Sequence, residues 1–340
     1  MRSFPLRSRV LAAIGAAAVV VSACGIGASP SPSAAATRLV VGLGFIPSVQ
    51  FAQFYLADQA GYYAEGGLEV EFLNEIDANL VPKVGQGQVD IGMSDGTSVI
   101  PAVSQGIPIK YIATVYGQFP SIVFGKASSG ITSAADLEGK KLGIPGRYGS
   151  SWIMLQALLA SVDLTPEDLE IVEYPDFGQG AAVSQGAVDV ATGFVNNEPV
   201  QLELSGTDSV VLHVDDAVAL PGPGLIISDQ MPASKQPAVE AFVLATLRAM
   251  DEIAADPSKG LDASINAVPE LGQDRATQEA ILEATIAVWN VSGGDALGGF
   301  GRIDRAGWQD SIDFMTQLGD LVPNPVTVDD LVTEEYLPGS

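Results

Sequence analysis

The chain has 340 residues, of which 47% are hydrophobic, and its 41 acidic side chains against 16 Lys and Arg give a formal net charge of −25. This length and hydrophobic content predict two folded domains of ordinary size and exclude a mainly disordered chain. The acidic excess argues against binding to nucleic acid or to anionic lipid surfaces, because both require clustered Lys and Arg.

The N-terminal residues have the pattern of a lipoprotein targeting segment. Three arginines precede an apolar run at residues 10–21, which is too short to span a bilayer. The Val-Ser-Ala-Cys sequence that ends at Cys24, the only cysteine of the chain, resembles the lipobox of bacterial lipoproteins. We therefore predict a signal peptide at 1–23, a lipidated Cys24 and a flexible tether at 24–37, with the protein anchored on the extracytoplasmic face of the cell membrane. The alternative is an ordinary secretory signal with an accidental cysteine at its cleavage point.

From residue 38 onwards, short apolar runs typical of buried strands alternate with runs of helical spacing. Strands are predicted at 38–44, 68–74, 89–94, 107–116, 121–125, 141–144, 169–174, 188–194, 210–214 and 225–228. Helices are predicted between them at 48–60, 78–86, 99–104, 133–138, 150–161, 179–185 and 197–204. After the last strand the pattern is helical, at 236–255, 258–268, 275–289 and 305–318.

One stretch of the chain occurs twice. Residues 84–92 read VGQGQVDIG, and residues 183–191 read VSQGAVDVA. In each copy a glycine, Gly87 or Gly186, can take the left-handed conformation that ends a helix, and a β-branched run typical of a buried strand follows. The repeated order of strands and helices predicts two similar α/β lobes with a cleft between them. The alternative is a chance likeness between two βαβ units.

The Pro- and Gly-rich stretch before the last predicted strand favours a second crossing between the lobes. We expect the strand at 225–228 to rejoin the first sheet. Lobe 1 would then contain residues 38–118 and 225–320, and lobe 2 would contain residues 119–224. The final residues, 321–340, are rich in Pro, Asp and Glu and predict a loosely attached tail.

Several motifs resemble those of a known family. They are FIP at 45–47, FYLA at 54–57, GYYAEGGLEV at 61–70, GQGQVDIG at 85–92 and ADLEGKKLG at 135–143. Over most of residues 38–204 the chain resembles the ABC-importer solute-binding proteins for nitrate, taurine, alkanesulfonates and thiamine-pyrimidine precursors, and the segments at 45–54 and 95–98 are most similar to the riboflavin-binding branch. The resemblance implies an α/β, two-lobed periplasmic-binding-protein fold of type II. Each lobe would be a βαβ-repeat sheet flanked by helices, and the lobes would close on one small molecule.

The resemblance and the topology both place the ligand at the loops that follow the carboxyl ends of the strands. From these loops we select side chains that can stack on a ring or hydrogen-bond to its edge. The candidate ligand-binding residues are Phe45, Asn74, Asp95, Thr97, Tyr116, Phe119, Tyr148, Trp152, Phe177, Asn196 and Glu198. For some of these residues, a structural role is the alternative to ligand binding. Asp95 and Glu198 lie at predicted helix starts, where capping is the usual role, and Phe45 and Trp152 are equally compatible with packing.

Aromatic and amide side chains dominate these loops, and Arg147 is their one cation. Nitrate or a sulfonate would require a guanidinium group or several converging helix N-termini. Ring faces combined with amide and carboxyl groups suit a planar, neutral heteroaromatic solute. The predicted ligand is therefore riboflavin. A thiamine pyrimidine precursor is the alternative, and a sulfonate or nitrate is a weaker one.

The available side chains argue against an enzyme. The single histidine, His213, lies in a predicted strand, and no thiol follows Cys24, so the chain offers neither a Ser-His-Asp triad nor a His/Cys metal site. We predict no cofactor, no metal and a monomer whose partners are the small-molecule ligand, an ABC permease and its ATPase. A carboxylate-only hydrolase and a ligand-sensing lipoprotein are the alternatives that the sequence leaves open.

Overall fold

The computed structural model describes residues 36–214, 219–289, 299–319 and 321–339. All described residues belong to one compact unit of the chain. The predicted signal peptide, the predicted lipidation site Cys24 and nearly all of the predicted tether therefore lie outside the described residues.

The described strands form two mixed sheets of five strands each. The first sheet has the order β2-β1-β3-β10-β4 and consists of β1 (Thr37–Gly42), β2 (Leu68–Leu73), β3 (Ile91–Ser94), β4 (Ile109–Thr114) and β10 (Gly224–Ser228). The second has the order β7-β6-β8-β5-β9 and consists of β5 (Ser121–Lys126), β6 (Lys141–Ile144), β7 (Glu170–Glu173), β8 (Val190–Phe194) and β9 (Ser209–His213).

Both sheets have the same design. Three parallel strands, β2-β1-β3 in lobe 1 and β7-β6-β8 in lobe 2, are followed by one strand that runs antiparallel to them. The antiparallel strand is β10 in lobe 1 and β5 in lobe 2. Along the chain, each of these two strands comes directly after a crossing from the other lobe. The duplicated, two-lobed α/β fold is confirmed, and so is the return of β10 to the first sheet.

Helices connect the strands and then complete lobe 1. The α-helices of the described residues are α1 (Ala52–Gln59), α2 (Tyr62–Glu65), α3 (Asp77–Gly85), α4 (Gly96–Ser104), α5 (Gly149–Ala160), α6 (Gln179–Gln185), α7 (Glu198–Leu204), α8 (Gln236–Ala255), α9 (Pro257–Ala267), α10 (Arg275–Trp289), α11 (Arg305–Gln317) and α12 (Val328–Leu331). The predicted helix at 48–60 starts as a 3-10 turn, Val49–Phe51, which Ser48 caps. Over the described residues, we find no helix with both the length and the apolar character needed to cross a bilayer.

The duplicated stretch has the same structural role in both lobes. Gly87 and Gly186 have φ angles of 69° and 72°, in the left-handed region that suits glycine, and they follow the last residues of α3 and α6. Asp90 and Asp189, which come next, accept hydrogen bonds from backbone N–H groups of β1 and β6 at 3.0 and 2.9 Å. Each aspartate therefore fastens its turn to the neighbouring parallel strand, which accounts for the recurrence of the Val-Asp pair.

The C-terminal segment is packed against lobe 1, so the prediction of a loose tail was wrong. Leu331 is fully buried, and Val332 forms a β-bridge with Tyr111 of β4. The backbone N–H of Asn324 donates to the Ser104 hydroxyl at the end of α4, at 2.8 Å. The Pro and acidic residues of this segment are mostly exposed, whereas the few apolar residues between them are buried. The composition of this segment reflects its exposed residues, so it does not reveal that the apolar residues between them pack against lobe 1.

Candidate functional site

A cavity lies between the two lobes, at the carboxyl ends of the parallel strands. Strands β1, β3, β6 and β8 end at its wall, and residues that follow them, such as Phe45, Asp95, Tyr148 and Glu198, line it. It contains about 990 Å³ of empty space, its solvent-open mouth included. A small molecule can therefore enter it.

Two phenylalanines, one from each lobe, contact each other at the cavity wall. The rings of Phe45 in lobe 1 and Phe177 in lobe 2 have their centroids 5.0 Å apart and meet edge to face at 84°. Phe177 has a φ of 60°, a left-handed conformation that is uncommon for a bulky residue. Phe51, Ile76 and Met93 extend the apolar wall. These side chains can cover the faces of a flat, apolar ring system.

The two candidate tyrosines both reach the cavity but differ in exposure. Tyr148 is 43% exposed, and its ring packs over Gly146, where an added Cβ would lie 2.3 Å from the ring. Tyr116 is only 2% exposed, and its hydroxyl lies 3.5 Å from the backbone oxygen of Gln50. Burial raises the pKa of the Tyr116 hydroxyl. Tyr148 is thus accessible to a solute, whereas Tyr116 contributes mainly to the packing behind the cavity.

Asp95 is a buried carboxylate that caps α4 and also contacts lobe 2. Its Oδ1 accepts hydrogen bonds from the Thr97 N–H at 2.9 Å, the Thr97 hydroxyl at 2.6 Å and the Ser98 N–H at 3.2 Å. Its Oδ2 accepts from the hydroxyl of Ser150, in the first turn of α5. Burial raises the pKa of Asp95, and these hydrogen bonds oppose the rise. Thr97, a candidate ligand residue, is fully buried and supports Asp95 without lining the cavity.

Glu198 lies in the first turn of α7, and its carboxylate is held from two sides. Its Oε2 accepts a hydrogen bond from the Phe194 N–H at 2.8 Å, and its Oε1 accepts one from the Gln179 amide at 3.4 Å. Burial raises the pKa of Glu198 to about 7, and the hydrogen bond from Phe194 opposes that rise. The carboxyl group is therefore partly protonated at neutral pH.

We expect Glu198 to make the protein less stable as the pH rises. Its unfolded carboxyl releases a proton near pH 4.5 and its folded carboxyl near pH 7, so the folded state binds the extra proton between these values and loses stability as the pH rises through them. Denaturant unfolding from about pH 5 to pH 8 should show a steeper decline for the wild type than for Glu198→Gln. Parallel declines in the two proteins would contradict the assignment.

Asn196, another candidate ligand residue, is fully buried and lies outside the cavity lining. Its amide nitrogen donates to Gln50 Oε1 at 3.0 Å and to Thr285 Oγ1 at 2.9 Å. Both acceptors belong to lobe 1, so Asn196 connects the lobes behind the cavity. Its neighbour Asn197 lines the cavity instead. The two adjacent asparagines look equivalent in the sequence, and only their side-chain directions distinguish them.

The candidates Asn74, Phe119 and Trp152 also lie outside the lining. Asn74 is exposed, and its amide donates to the backbone oxygen of Phe45 at 3.0 Å, so it supports the loop that carries that ring. Phe119 is buried in the core of lobe 2, and Trp152 packs half-buried against the same core. In each case the side chain turns away from the cavity.

Several residues that line the cavity were not among the candidates. They include Leu43, Gln50, Phe51, Ile76, Met93, Ser94, Pro145, Ser150, Ser151, Gln179, Phe194 and Asn197. Many lie within two residues of a strand end or a helix start, so their position along the predicted elements was a usable signal. Met93 lies inside β3 and Phe51 inside a helical turn, where the hydrophobic pattern predicts core residues.

Positive side chains are missing from the described lining of the cavity, where no residue is Lys, Arg or His. Arg147, the one cation of the predicted loops, pairs through Nε with Glu173 at 3.3 Å and stacks over the ring of Trp152. Across the described part of the chain, no cluster of His, Cys, Asp and Glu side chains could hold a metal ion. A ligand would therefore meet rings, hydroxyls, amides and the two carboxyl groups of Asp95 and Glu198.

The fold and the cavity define a two-lobed solute-binding protein, in which one small molecule can be enclosed between two α/β lobes. The chain belongs to the family described as NMT1/THI5 like, whose sequence profile matches residues 48–260. The family resemblance inferred from the motifs is confirmed.

Individual relatives differ in what they bind. The riboflavin-binding protein RibY of Chloroflexus aurantiacus is 34% identical over 319 residues, which are 92% of this chain and 90% of that protein. A 4-amino-5-hydroxymethyl-2-methylpyrimidine phosphate synthase of Legionella pneumophila is 26% identical over 243 residues, 69% of this chain and 75% of the synthase. The solved alkanesulfonate-binding protein SsuA from Xanthomonas axonopodis pv. citri, bound to MOPS, has a TM-score of 0.67 at 18% identity and covers 89% of this chain and 100% of its own. At that identity the likeness shows the fold alone.

Proposed function

We propose that the protein captures a small, planar, neutral heteroaromatic solute, with riboflavin as the first candidate, and delivers it to the permease of an ABC importer. The observation that carries the proposal is the lining of the cavity, where aromatic rings from both lobes meet and none of the described lining residues is a cation. An anionic sulfonate or nitrate would meet Asp95 and Glu198 without a positive group to balance it. The riboflavin-binding relative supports the same choice, because the similarity extends over 92% of this chain.

Riboflavin has three parts that different surfaces of the cavity can match. Its flat tricyclic ring can lie against Phe45 and Phe177. Its pyrimidinedione edge, where carbonyl and N–H groups alternate, can hydrogen-bond to amide and carboxyl groups. Its hydroxyl-bearing chain can bond to Asp95 and to the hydroxyls of Ser150 and Ser151, which also line the cavity. Binding in the micromolar range or tighter requires about 8 kcal/mol or more, which such combined burial and hydrogen bonding can supply.

A titration panel tests the proposal. The purified protein is titrated with riboflavin, a thiamine pyrimidine precursor, taurine and nitrate, and binding is followed by flavin and tryptophan fluorescence. We expect riboflavin to bind with a Kd of about 1 µM or below, and taurine and nitrate to leave both signals unchanged. A protein that ignores riboflavin and responds to taurine or nitrate would overturn the proposal.

A thiamine pyrimidine precursor is the second candidate ligand, because the relatives include pyrimidine phosphate synthases at 26% identity. We favour capture over synthesis, because the single histidine of the chain cannot act as a catalytic group in the cavity. His213 lies in β9, at the edge of the second sheet and outside the cavity lining. Mass spectrometry of the compound that co-purifies with the protein separates the two activities. A free vitamin or precursor supports capture, whereas a pyrimidine phosphate would support synthesis.

We further propose that Cys24 carries a lipid anchor and that residues 24–37 tether the lobes, as a monomer, to the extracytoplasmic face of the membrane, beside the permease and its ATPase. The support is the lipobox-like sequence that ends at this single cysteine. A Cys24→Ser variant is expected to leave the membrane fraction and to incorporate no labelled palmitate. Retention of the variant in the membrane would contradict the anchor.

A further inference from the structure

We propose that Gln179 and Glu198 form a subsite that recognises an N–H donor on the edge of the bound ring, and that this pair selects the ligand. The inference rests on the proposed capture of a neutral heteroaromatic solute and specifies which hydrogen-bonding group that solute must carry. The aromatic walls accept any flat ring, so they cannot make this choice themselves.

The orientation of the Gln179 amide is set by its neighbours. Gln179 is 2% exposed, and its Nε2 donates to the backbone oxygen of Thr192 at 3.3 Å and to Glu198 Oε1 at 3.4 Å. The Thr192 carbonyl can only accept a hydrogen bond, so the amide nitrogen must face it. The amide oxygen, Oε1, is then left with no partner among the described residues, although Gln179 lines the cavity. A buried acceptor of this kind is normally satisfied, and an N–H group of a ligand would satisfy it.

The Glu198 carboxyl is held beside this amide by tight packing. Its Oε2 accepts the Phe194 N–H at 2.8 Å. A Cβ added to Gly193 would lie 2.8 Å from Oε2, and one added to Gly180 would lie 3.2 Å from the Glu198 Cγ. Because Gly193 and Gly180 have no side chain, there is space for the side chain of Glu198. Any larger residue at Gly193 would displace the carboxyl from the cavity wall.

Together these groups match the edge of a pyrimidinedione or an aminopyrimidine. The free Gln179 oxygen can accept a ring N–H or an exocyclic amine. Burial raises the pKa of Glu198 to about 7, so near neutral pH its protonated carboxyl can also donate a hydrogen bond to a neighbouring ring carbonyl. Nitrate, or an alkanesulfonate without an amino group, carries no such N–H donor and would place its oxygens against two acceptors.

The test compares riboflavin with riboflavin methylated on its imide nitrogen, which keeps the ring and the hydroxyl chain but lacks the N–H. We expect the wild-type protein to bind the methylated flavin about tenfold or more weakly. Gln179→Met removes the amide oxygen at similar volume and should reduce this discrimination to less than about threefold. Gln156→Met, an equivalent change in α5 outside the cavity lining, should leave it at the wild-type value.

Equal binding of both flavins by the wild-type protein would overturn the subsite while leaving the proposed function intact. Binding of neither flavin would overturn riboflavin as the ligand of the proposed function, and the subsite with it. The wild-type comparison needs no variant, so it decides the question even if Gln179→Met does not fold.

Discussion

Replacing Phe177 with alanine is expected to weaken riboflavin binding by about 10- to 100-fold, or about 1.4–2.8 kcal/mol, and to change the free energy of unfolding by less than about 1 kcal/mol. The ring is half-buried on the cavity wall, 5.0 Å from the ring of Phe45, and belongs to none of the buried core clusters. Its loss therefore removes contact area from the ligand more than from the protein. Fluorescence titration and denaturant unfolding measure the two quantities.

Two further variants show whether the ring itself is responsible. Phe177→Gly also removes the ring, but it relieves the left-handed backbone at φ 60°, so it should bind as weakly as the alanine variant and be at least as stable. Phe314→Ala removes a half-buried ring that packs against the lobe cores outside the cavity lining, and it should lower stability without changing affinity. Wild-type affinity in both Phe177 variants would mean that this ring does not meet the ligand.

Asp95→Ala is expected to lower the free energy of unfolding by about 2–4 kcal/mol, as measured by guanidinium unfolding. Asp95 is 3% exposed, and its Oδ1 accepts three hydrogen bonds from Thr97 and Ser98. Without the carboxylate, the first turn of α4 loses its cap, and the fully buried Thr97 hydroxyl loses its acceptor. The same change removes the acceptor of the Ser150 hydroxyl in lobe 2, so we expect weaker riboflavin binding as well.

A second capping aspartate provides the matched control. Asp304 caps α11 by accepting from the N–H groups of Ala306 and Gly307, both at 3.1 Å, but it is exposed. Asp304→Ala should therefore cost only about 1 kcal/mol of stability and leave riboflavin binding unchanged. If Asp95→Ala and Asp304→Ala lost equal stability, neither the burial of Asp95 nor its hydrogen bond to lobe 2 would contribute to the free energy of unfolding.

The carboxyl groups of the cavity have a consequence for ligand class. Asp95 and Glu198 both line it, burial raises the pKa of each, and no described lining residue is a cation. A site with two carboxyl groups and no cation among its described lining residues disfavours a bound anion and favours a neutral solute with hydroxyl or N–H donors. The alkanesulfonate-binding protein SsuA has the same fold. We propose that this chain uses that fold for a different class of ligand.

Local sequence predicted most of the fold because the relevant signals lie within a few residues. The boundaries of β6, α6, α8 and α10 agree with the hydrophobic pattern, and the glycine stops at Gly87 and Gly186 fall where the left-handed backbone occurs. The same reasoning failed for the C-terminal segment. There, a small number of buried apolar residues within a polar stretch decides the packing.

The site was less predictable, because a loop position does not specify the direction of a side chain. Asn196 and Asn197 are neighbours, yet one connects the lobes and the other lines the cavity. Gln179 was overlooked because nothing near it in the sequence shows that its amide oxygen lacks a partner.

The sequence by itself determined the duplicated α/β lobes, the edge of each sheet where the cavity lies, and the scarcity of cations in those loops. Only the tertiary structure decided which side chains meet there. The decisive contacts join residues that are far apart in the chain, as Ser150 and Asp95 are by 55 positions and Asn196 and Thr285 are by 89. Hydrophobic periodicity and turn preferences act over a few residues, whereas these contacts exist only where the two lobes pack against each other.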